Sequence, residues 1–273
     1  MLYKYLPAER IDIIENLKIR FSPLLSLNDP FENLPLVDIS VEKNVLLSQL
    51  ILELEEIWEK TDVSEKTVSN RQLLEQTKEK LHQQINEETS PYSVGQQVVN
   101  LIGDNLGVLS LSRTEKSLLM WTHYASEGKG FLIGFDDNHS FFRQKDMEGN
   151  ITKLLPVIYS AKRRKIIIGE ESYYQKLLCV KALEWAYEEE ERIFRIFLTK
   201  ENVVGKDIYG QDIVLSELPK ESIKEIYFGY AMCDEDKDRI TLAVSKNRID
   251  CQLSRARICN DEYKIVFDQI EKI

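Results

Sequence analysis

The chain has 273 residues, 43% of them hydrophobic and 30% charged, which is the composition of a globular protein long enough to bury a core. Its formal net charge of −10 argues against nucleic-acid binding by general electrostatics, because phosphate binding rests on clustered Lys and Arg, although it leaves room for a local basic pocket. No run of eighteen apolar residues occurs, so we expect no membrane-spanning helix.

The N-terminal residues carry charges throughout and lack the apolar core of a signal peptide, so we expect a cytoplasmic protein. The cysteines lie far apart and form no CxxC motif, which favours reduced thiols over a disulfide framework or a zinc site.

The first thirty residues predict short elements joined by turns. Residues 2–6 alternate between apolar and polar side chains and predict a strand, and residues 8–16 predict a short amphipathic helix. Residues 18–22 predict a second strand. Asn28, Asp29 and Pro30 then form a turn signal.

A long helical stretch follows, at about residues 41–89. Apolar side chains recur there at helical spacing, and neither Gly nor Pro interrupts it. Because no Pro- or Gly-rich linker separates this stretch from the rest, we expect one domain over residues 1–273 with a helical insertion at about 41–89.

The remainder alternates unevenly between strands and helices. The predicted strands are 107–112, 130–136, 154–159, 187–197, 223–230 and 263–267, and the predicted helices are 115–125, 173–183 and 234–247. This pattern predicts an α+β fold built on a mixed, mainly antiparallel sheet.

Common catalytic motifs are missing from the sequence: it has no GxGxxG, GxxxxGK[ST], HExxH or GxSxG. Its three histidines make a histidine-based metal site a poor hypothesis. We therefore expect any chemistry to use carboxylates, hydroxyls, Arg or Tyr.

Polar and aromatic side chains are dense between residues 110 and 124. Ser110 and Ser112 share one face of their predicted strand, where two hydroxyls can line a ligand cleft. Core packing of the next helix is the favoured interpretation of Met120 and Trp121. His123 and Tyr124 carry polar groups, so a place in the core and a role in a functional site are equally compatible with the pattern for these two residues.

Four consecutive acidic residues, 188–191, precede the apolar strand residues. On a continuous strand Glu188, Glu190 and Arg192 would point to one side, where the like charges need compensation by Arg192 or a ligand. A solvated acidic face is the alternative interpretation. The loop at 28–32 has the same ambiguity: it is either a plain turn or it places Asp29 and Glu32 at a cleft.

These blocks resemble the bacterial family DUF2971. The matching elements, in chain order, are Leu-Tyr-Lys-Tyr at 2–5, Asn-Asp-Pro-Phe-Glu at 28–32, Ser-Leu-Ser at 110–112, Met-Trp-x-x-Tyr-Ala at 120–125, a glycine-bounded strand ending in Phe-Asp at 130–136, and Trp-x-Tyr-Glu-x-Glu-x-Arg at 185–192.

The block order is similar to that of a divergent ADP-ribosyltransferase. This resemblance implies an ADP-ribosyltransferase-like sheet core and an enzyme that uses NAD. It implies that Glu190 holds the nicotinamide ribose and stabilises positive charge as nicotinamide leaves, while Glu188 orients the acceptor. The remaining residues implied at the NAD site are Tyr3, Lys4, Ser110, Ser112, His123, Tyr124 and Arg192, with Tyr3, Lys4 or Arg20 at the pyrophosphate. The acceptor, a protein or a nucleic acid, and the oligomeric state are left open. The implied role is that of a toxin or antiphage effector.

Two other functions remain open at the level of the sequence. Asp29, Glu32, Glu188 and Glu190 could supply oxygen ligands for magnesium in a hydrolase or nuclease. The chain could also be a binding module without catalysis. An NAD-shaped cleft would favour the ADP-ribosyltransferase hypothesis, and a metal ion with oxygen ligands would favour the hydrolase or nuclease. A filled cleft would favour the binding module.

Overall fold

The computed structural model describes residues 1–32, 34–37, 43–61, 63, 66–87, 95–96, 99–100, 103, 106–143, 154–167, 173–196 and 203–270. The α-helices in these residues are α1 (Asp12–Asn16), α2 (Lys43–Lys60), α3 (Val68–Glu87), α4 (Leu118–Tyr124), α5 (Tyr173–Leu178) and α6 (Asp234–Asn247). Short 3-10 helices cover Ala8–Arg10, Leu24–Ser26, Ser126–Gly128, Ser140–Phe142, Leu183–Glu188 and Lys220–Ser222.

Strands account for much of the rest of the described chain. They are β1 (Leu2–Leu6), β2 (Lys18–Arg20), β3 (Ser22–Pro23), β4 (Leu36–Val37), β5 (Leu106–Ser112), β6 (Phe131–Phe135), β7 (Leu155–Pro156), β8 (Ile158–Ser160), β9 (Lys165–Ile166), β10 (Val180–Ala182), β11 (Glu190–Ile196), β12 (Val203–Lys206), β13 (Asp212–Glu217), β14 (Ile223–Phe228), β15 (Gln252–Ile258) and β16 (Ile265–Gln269).

Within the described residues, nine strands form the main sheet in the order β16-β15-β14-β6-β1-β5-β11-β7, with β3 also paired to β5. All of these pairs are antiparallel except β14 with β15. Smaller sheets pair β12, β13 and β2, then β8 with β10, and β4 with β9. The chain therefore has the predicted α+β fold with a mixed, mainly antiparallel sheet.

Side-chain alternation along β5 separates the interior into distinct regions. Leu109 and Leu111 point into the first core, which also contains Ile13 and Ile14 of α1 and Ile240 of α6. The other face of β5 carries Val108, Ser110 and Ser112, because successive side chains of a strand point to opposite faces.

The second core joins the long helices to the sheet. It contains Val108 of β5, Leu47 and Leu50 of α2, Leu81 of α3 and Leu178 of α5. The helices expected as an insertion thus share buried surface with a central strand. Residues 41–42, 62, 64–65 and 88–89 of the predicted stretch lie outside the described residues.

The third core is aromatic and lies against α4. Trp121 is fully buried there, with its ring 5.3 Å from that of Tyr5 and 6.5 Å from that of Phe267. Its indole nitrogen donates to the backbone oxygen of Glu115 at 2.9 Å. The core-packing interpretation of Trp121 and Met120 is therefore confirmed.

Several predicted elements differ from the structure, and the predicted strands 18–22 and 154–159 are each divided into two strands. Strand β11 begins at Glu190 and not at Tyr187, because residues 183–188 form a 3-10 helix and Glu189 turns the chain with φ 43°. Phe197, the predicted last residue of this strand, lies outside the described residues. The predicted helix at 173–183 ends at Leu178 and strand β10 follows it. A short apolar run does not distinguish a buried strand from a helix, which explains this last error.

None of the described helices combines the length and the apolar character that crossing a lipid bilayer requires.

Candidate functional site

A cluster of buried charged side chains lies on the face of the main sheet between the second and third cores. Register pairs Glu190 with Ser112 and Arg192 with Ser110, so that these four side chains stand on one face of β5 and β11. The prediction that Glu190 and Arg192 point to the same side is therefore confirmed.

Glu190 is held between two cations and is 6% exposed. Its carboxylate accepts hydrogen bonds from Nε and Nη2 of Arg192, at 2.8 and 3.0 Å, and from Nζ of Lys181 at 3.0 Å. Burial acts to raise the pKa of Glu190, but the charges of Arg192 and Lys181 outweigh it and lower the pKa to about 2. Glu190 is thus ionised at any physiological pH.

Arg192, which is 1% exposed, extends the cluster towards the loop at 28–32. Its Nη2 also donates to Glu32, and its Nη1 donates to the backbone oxygen of Leu178 at 2.6 Å. Burial raises the pKa of Glu32, and the charges of Arg192 and Lys181 oppose this shift. Arg192 therefore ties β11 to both the Glu32 loop and the end of α5.

Glu188 enters the same cluster from the 3-10 helix before β11. The left-handed backbone of Glu189 reverses the chain, and the Glu188 carboxylate then accepts from Nζ of Lys181 at 2.6 Å and from the hydroxyl of Tyr124. Burial raises the pKa of Glu188, with the charge of Lys181 opposing it. The turn, and not strand alternation, brings Glu188 beside Glu190.

The ion-paired side chains of the cluster are three carboxylates, Glu32, Glu188 and Glu190, and two cations, Lys181 and Arg192. The positive charge of Lys4 also interacts with Glu188 and Glu190. Burial raises the pKa of both Glu32 and Glu188, while the neighbouring cations oppose this shift.

The predicted serines and Lys4 support the strands around the cluster. Ser112 donates to the backbone oxygen of Glu188 at 2.7 Å, and a hydrogen bond from Ser110 contributes to the low pKa of Glu190. Lys4 donates to the backbone oxygen of Ser110 at 2.9 Å, and burial lowers the pKa of Lys4 to about 8.

A polar rim leads from Glu188 to the surface. Asn28, which is exposed, donates from its amide nitrogen to the hydroxyl of Tyr124 at 2.9 Å. Nδ1 of His123 lies 3.0 Å from the hydroxyl of Tyr187. His123 and Tyr124 therefore lie at the outer side of the cluster, and burial raises the pKa of Tyr124 above its ordinary value.

The side chains of three other predicted residues make their described contacts outside the cluster. Tyr3 packs in the third core with its ring 6.4 Å from that of Tyr227, and Arg20 donates to Asp207 at 2.6 Å. Asp29 is fully buried and accepts from the backbone N–H of Phe31 at 2.9 Å, as a turn residue does. The described residues contain no group of three or more His, Cys, Asp or Glu side chains placed to hold a metal ion.

Sequence reasoning missed Lys181, which bridges Glu188 and Glu190. The sequence feature that could have identified Lys181 is its position as the single cation in the apolar run of residues 177–183. A Lys buried in such a run needs carboxylate partners. It also missed Tyr159, whose hydroxyl accepts from the backbone N–H of Glu190 at 2.8 Å.

A cavity of about 280 Å³ reaches the cluster from the side of the Glu32 loop, and both Glu32 and Lys181 contribute to its wall. The other lining residues are Phe31, Pro35, Leu36, Ser160, Ala161, Lys162, Arg163, Arg164, Ile166, Lys176, Leu177, Val180, Ala182 and Glu184. Two of the buried charged groups, Glu32 and Lys181, thus border space that a small ligand can enter.

Comparison with known proteins gives a family match but no characterised relative. No curated protein and no solved structure matches the chain. The model of the family described as protein of unknown function (DUF2971) matches residues 120–193, a segment that contains Trp121, Glu188, Glu190 and Arg192. This match supports the resemblance to the DUF2971 family that the sequence blocks predict.

Proposed function

We propose that this protein cleaves NAD, as an ADP-ribosyltransferase or an NAD glycohydrolase, with Glu188 and Glu190 as its reacting carboxylates. The observation that supports this most is the opposite shift of two adjacent carboxyl groups: the pKa of Glu188 is raised and that of Glu190 is lowered. Environments that separate two carboxyl pKa values in this way are typical of enzymes that break glycosidic bonds.

The roles follow from these shifts. Breaking the bond between nicotinamide and ribose develops positive charge on the sugar, which the permanent negative charge of Glu190 would stabilise. The incoming water or acceptor hydroxyl must lose its proton as it bonds to the sugar carbon. Glu188, with its raised pKa, would accept that proton as a general base.

Lys181 and Tyr124 would position Glu188 for this step. Lys181 donates to both carboxylates, and Tyr124 donates to Glu188 from the side of the polar rim. A cytoplasmic location and a role as a toxin or antiphage effector would suit an enzyme that depletes NAD. We therefore include this location and this role in the proposal.

The first test compares neighbouring glutamates for release of nicotinamide from NAD, measured by chromatography. Glu190→Gln and Glu188→Gln keep the shape of the side chain and remove its charge, and we expect each to lower turnover by about a hundredfold or more. Glu189→Gln is the matched control, because Glu189 lies between them in sequence and is exposed. It should retain the rate of the parent protein.

Removal of a buried charge can also unfold the protein, so melting temperatures are measured alongside. Tyr124→Phe provides an independent arm, since it deletes the hydroxyl that binds Glu188 without removing a charge. We expect it to fold normally, to lower turnover and to shift the pH profile. A parent protein that leaves NAD intact with water, peptide and nucleic-acid acceptors would contradict the proposal.

A further inference from the structure

Glu32 and Lys181 meet at the wall of the cavity, and each of them has one hydrogen-bonding position left over. Oε1 of Glu32 accepts from Arg192, whereas Oε2 is buried and has no hydrogen-bond partner within the described part of the chain. Nζ of Lys181 donates to Glu188 and to Glu190. An ammonium group has three N–H groups, so the described contacts leave one of them without an oxygen acceptor.

These two positions lie at a separation that one bridging oxygen can span. Nζ of Lys181 is 4.0 Å from Oε2 of Glu32, which is too far for a direct hydrogen bond. An oxygen placed between them lies within hydrogen-bond distance of both. The ring of Trp185, whose centre is 5.1 Å from Nζ, also contacts the ammonium, but a ring face is only a weak acceptor.

The pairing of a donor with an acceptor selects the chemistry of the bridging group. A hydroxyl group accepts one hydrogen bond and donates another, so it can satisfy both Lys181 and Glu32. A ligand ammonium group could not accept from Lys181, and an ionised phosphate or a carbonyl oxygen could not donate to Glu32. The cavity of about 280 Å³ has room for a small sugar ring beside these side chains.

We propose that Glu32 and Lys181 bind a hydroxyl group of a ribose in this cavity. The choice of ribose rests on the proposed function: Lys181 also donates to Glu188 and Glu190, so a sugar bound at Lys181 lies next to both reacting carboxylates. Oε2 of Glu32 is covered by protein atoms, so the hydroxyl reaches it after a small rotation of this carboxylate towards the cavity.

Calorimetric titration with ADP-ribose and its deoxy analogues tests the ligand chemistry. ADP-ribose carries a terminal ribose but no nicotinamide, so binding is measured without turnover. We expect ADP-ribose to bind, and loss of either the 2′ or the 3′ hydroxyl of its terminal ribose to weaken binding by about tenfold or more. Equal affinity for ADP-ribose and both analogues would overturn the proposal, because only water would then bridge the two side chains. So would the lack of any ADP-ribose binding at millimolar concentration.

Glu32→Gln tests where that hydroxyl binds. In this variant the amide oxygen faces Arg192, so an NH2 group lies opposite Lys181 and no acceptor remains for the hydroxyl. We expect about tenfold weaker binding of ADP-ribose and no further loss for the analogue that lacks the bound hydroxyl. Glu184→Gln is the matched control, because Glu184 lines the same cavity and is exposed. It should bind each ligand within about twofold of the parent.

An equal loss of affinity for ADP-ribose and for that analogue in Glu32→Gln would show a purely structural role and contradict the proposal. The experiment also separates this inference from NAD cleavage. A parent protein that leaves NAD intact but binds ADP-ribose through the hydroxyl and Glu32 would contradict the cleavage alone. A parent protein that cleaves NAD, with an unchanged KM in Glu32→Gln, would contradict the role of Glu32 alone.

Discussion

Glu190 combines deep burial with a permanent charge. Its environment is costly for an isolated carboxylate, yet Arg192 and Lys181 donate three hydrogen bonds to it. Removing one member of such a buried ion-pair network leaves the other charges uncompensated. The resulting loss of folding free energy is far larger than the net stabilisation that the network provides. Glu190 is therefore important for folding as well as for the proposed chemistry.

The low pKa of Glu190 predicts a pH-dependent contribution to stability. Because the pKa falls from 4.5 to about 2 on folding, ionised Glu190 stabilises the fold above about pH 4.5, and this contribution is lost as the pH falls towards about 2. The shift corresponds to about 3 kcal/mol at neutral pH.

We expect the free energy of unfolding of Glu190→Gln to lie about 3 kcal/mol below that of the parent at about pH 7, and this gap to narrow by about 2 kcal/mol at about pH 3. Urea unfolding at both pH values measures it, with Glu189→Gln as the control that should show no gap. A gap that does not change with pH would contradict the assigned shift.

At the scale of elements, the turn at Glu189 connects a 3-10 helix to a central strand. Its φ of 43° and ψ of 49° lie in the left-handed region, which is costly for residues with a Cβ atom. Two hydrogen bonds from β5 and its extension hold the turn: Ser112 donates to the Glu188 oxygen, and the Arg113 N–H donates to the Glu189 oxygen. This turn directs Glu188 towards Lys181.

The backbone of this turn predicts an unusual order of stabilities for two substitutions. Glu189→Gly should be more stable than Glu189→Ala by about 1 kcal/mol, because Gly adopts the left-handed conformation without a steric penalty. In ordinary helix or strand positions the order is the reverse. Chemical denaturation of the two variants gives the difference, and a more stable alanine variant would show that the turn does not have this conformation.

At the scale of the whole molecule, the three cores meet at the main sheet. Strand β5 contributes Leu109 and Leu111 to the first core and Val108 to the second, while its neighbour β1 contributes Tyr5 to the third. Helices α2 and α3 bury Leu47, Leu50 and Leu81 against the second core. The sheet and the long helices therefore depend on each other for burial of apolar surface.

This shared burial predicts that the helices and the sheet unfold together. Trp58 lies in α2 and Trp121 lies in α4 against the sheet, so each can serve as a local fluorescence probe. Variants that keep only one of these tryptophans should give the same urea midpoint, and far-UV circular dichroism should follow the same curve. A separate, earlier transition at Trp58 would instead identify α2 and α3 as an independently unfolding insertion.

The sequence by itself determined features that depend on local pattern. Alternation along residues 190–196 places Glu190 and Arg192 on one side, because a strand fixes side-chain direction with a period of two. The apolar, ring-rich segment at 118–124 gives a helix that buries Met120 and Trp121, and the acidic residues 188–191 together with Arg192 indicate a charged site.

The tertiary structure decided which of these charges meet and what they do to one another. The position of Glu188 depends on a left-handed turn that no side-chain pattern encodes for a Glu residue. Lys181 reaches the cluster from a strand in another sheet, and Glu32 reaches it from a loop far away in sequence. The pKa shifts arise from burial and from distances between these segments, and both quantities exist only once the chain has folded.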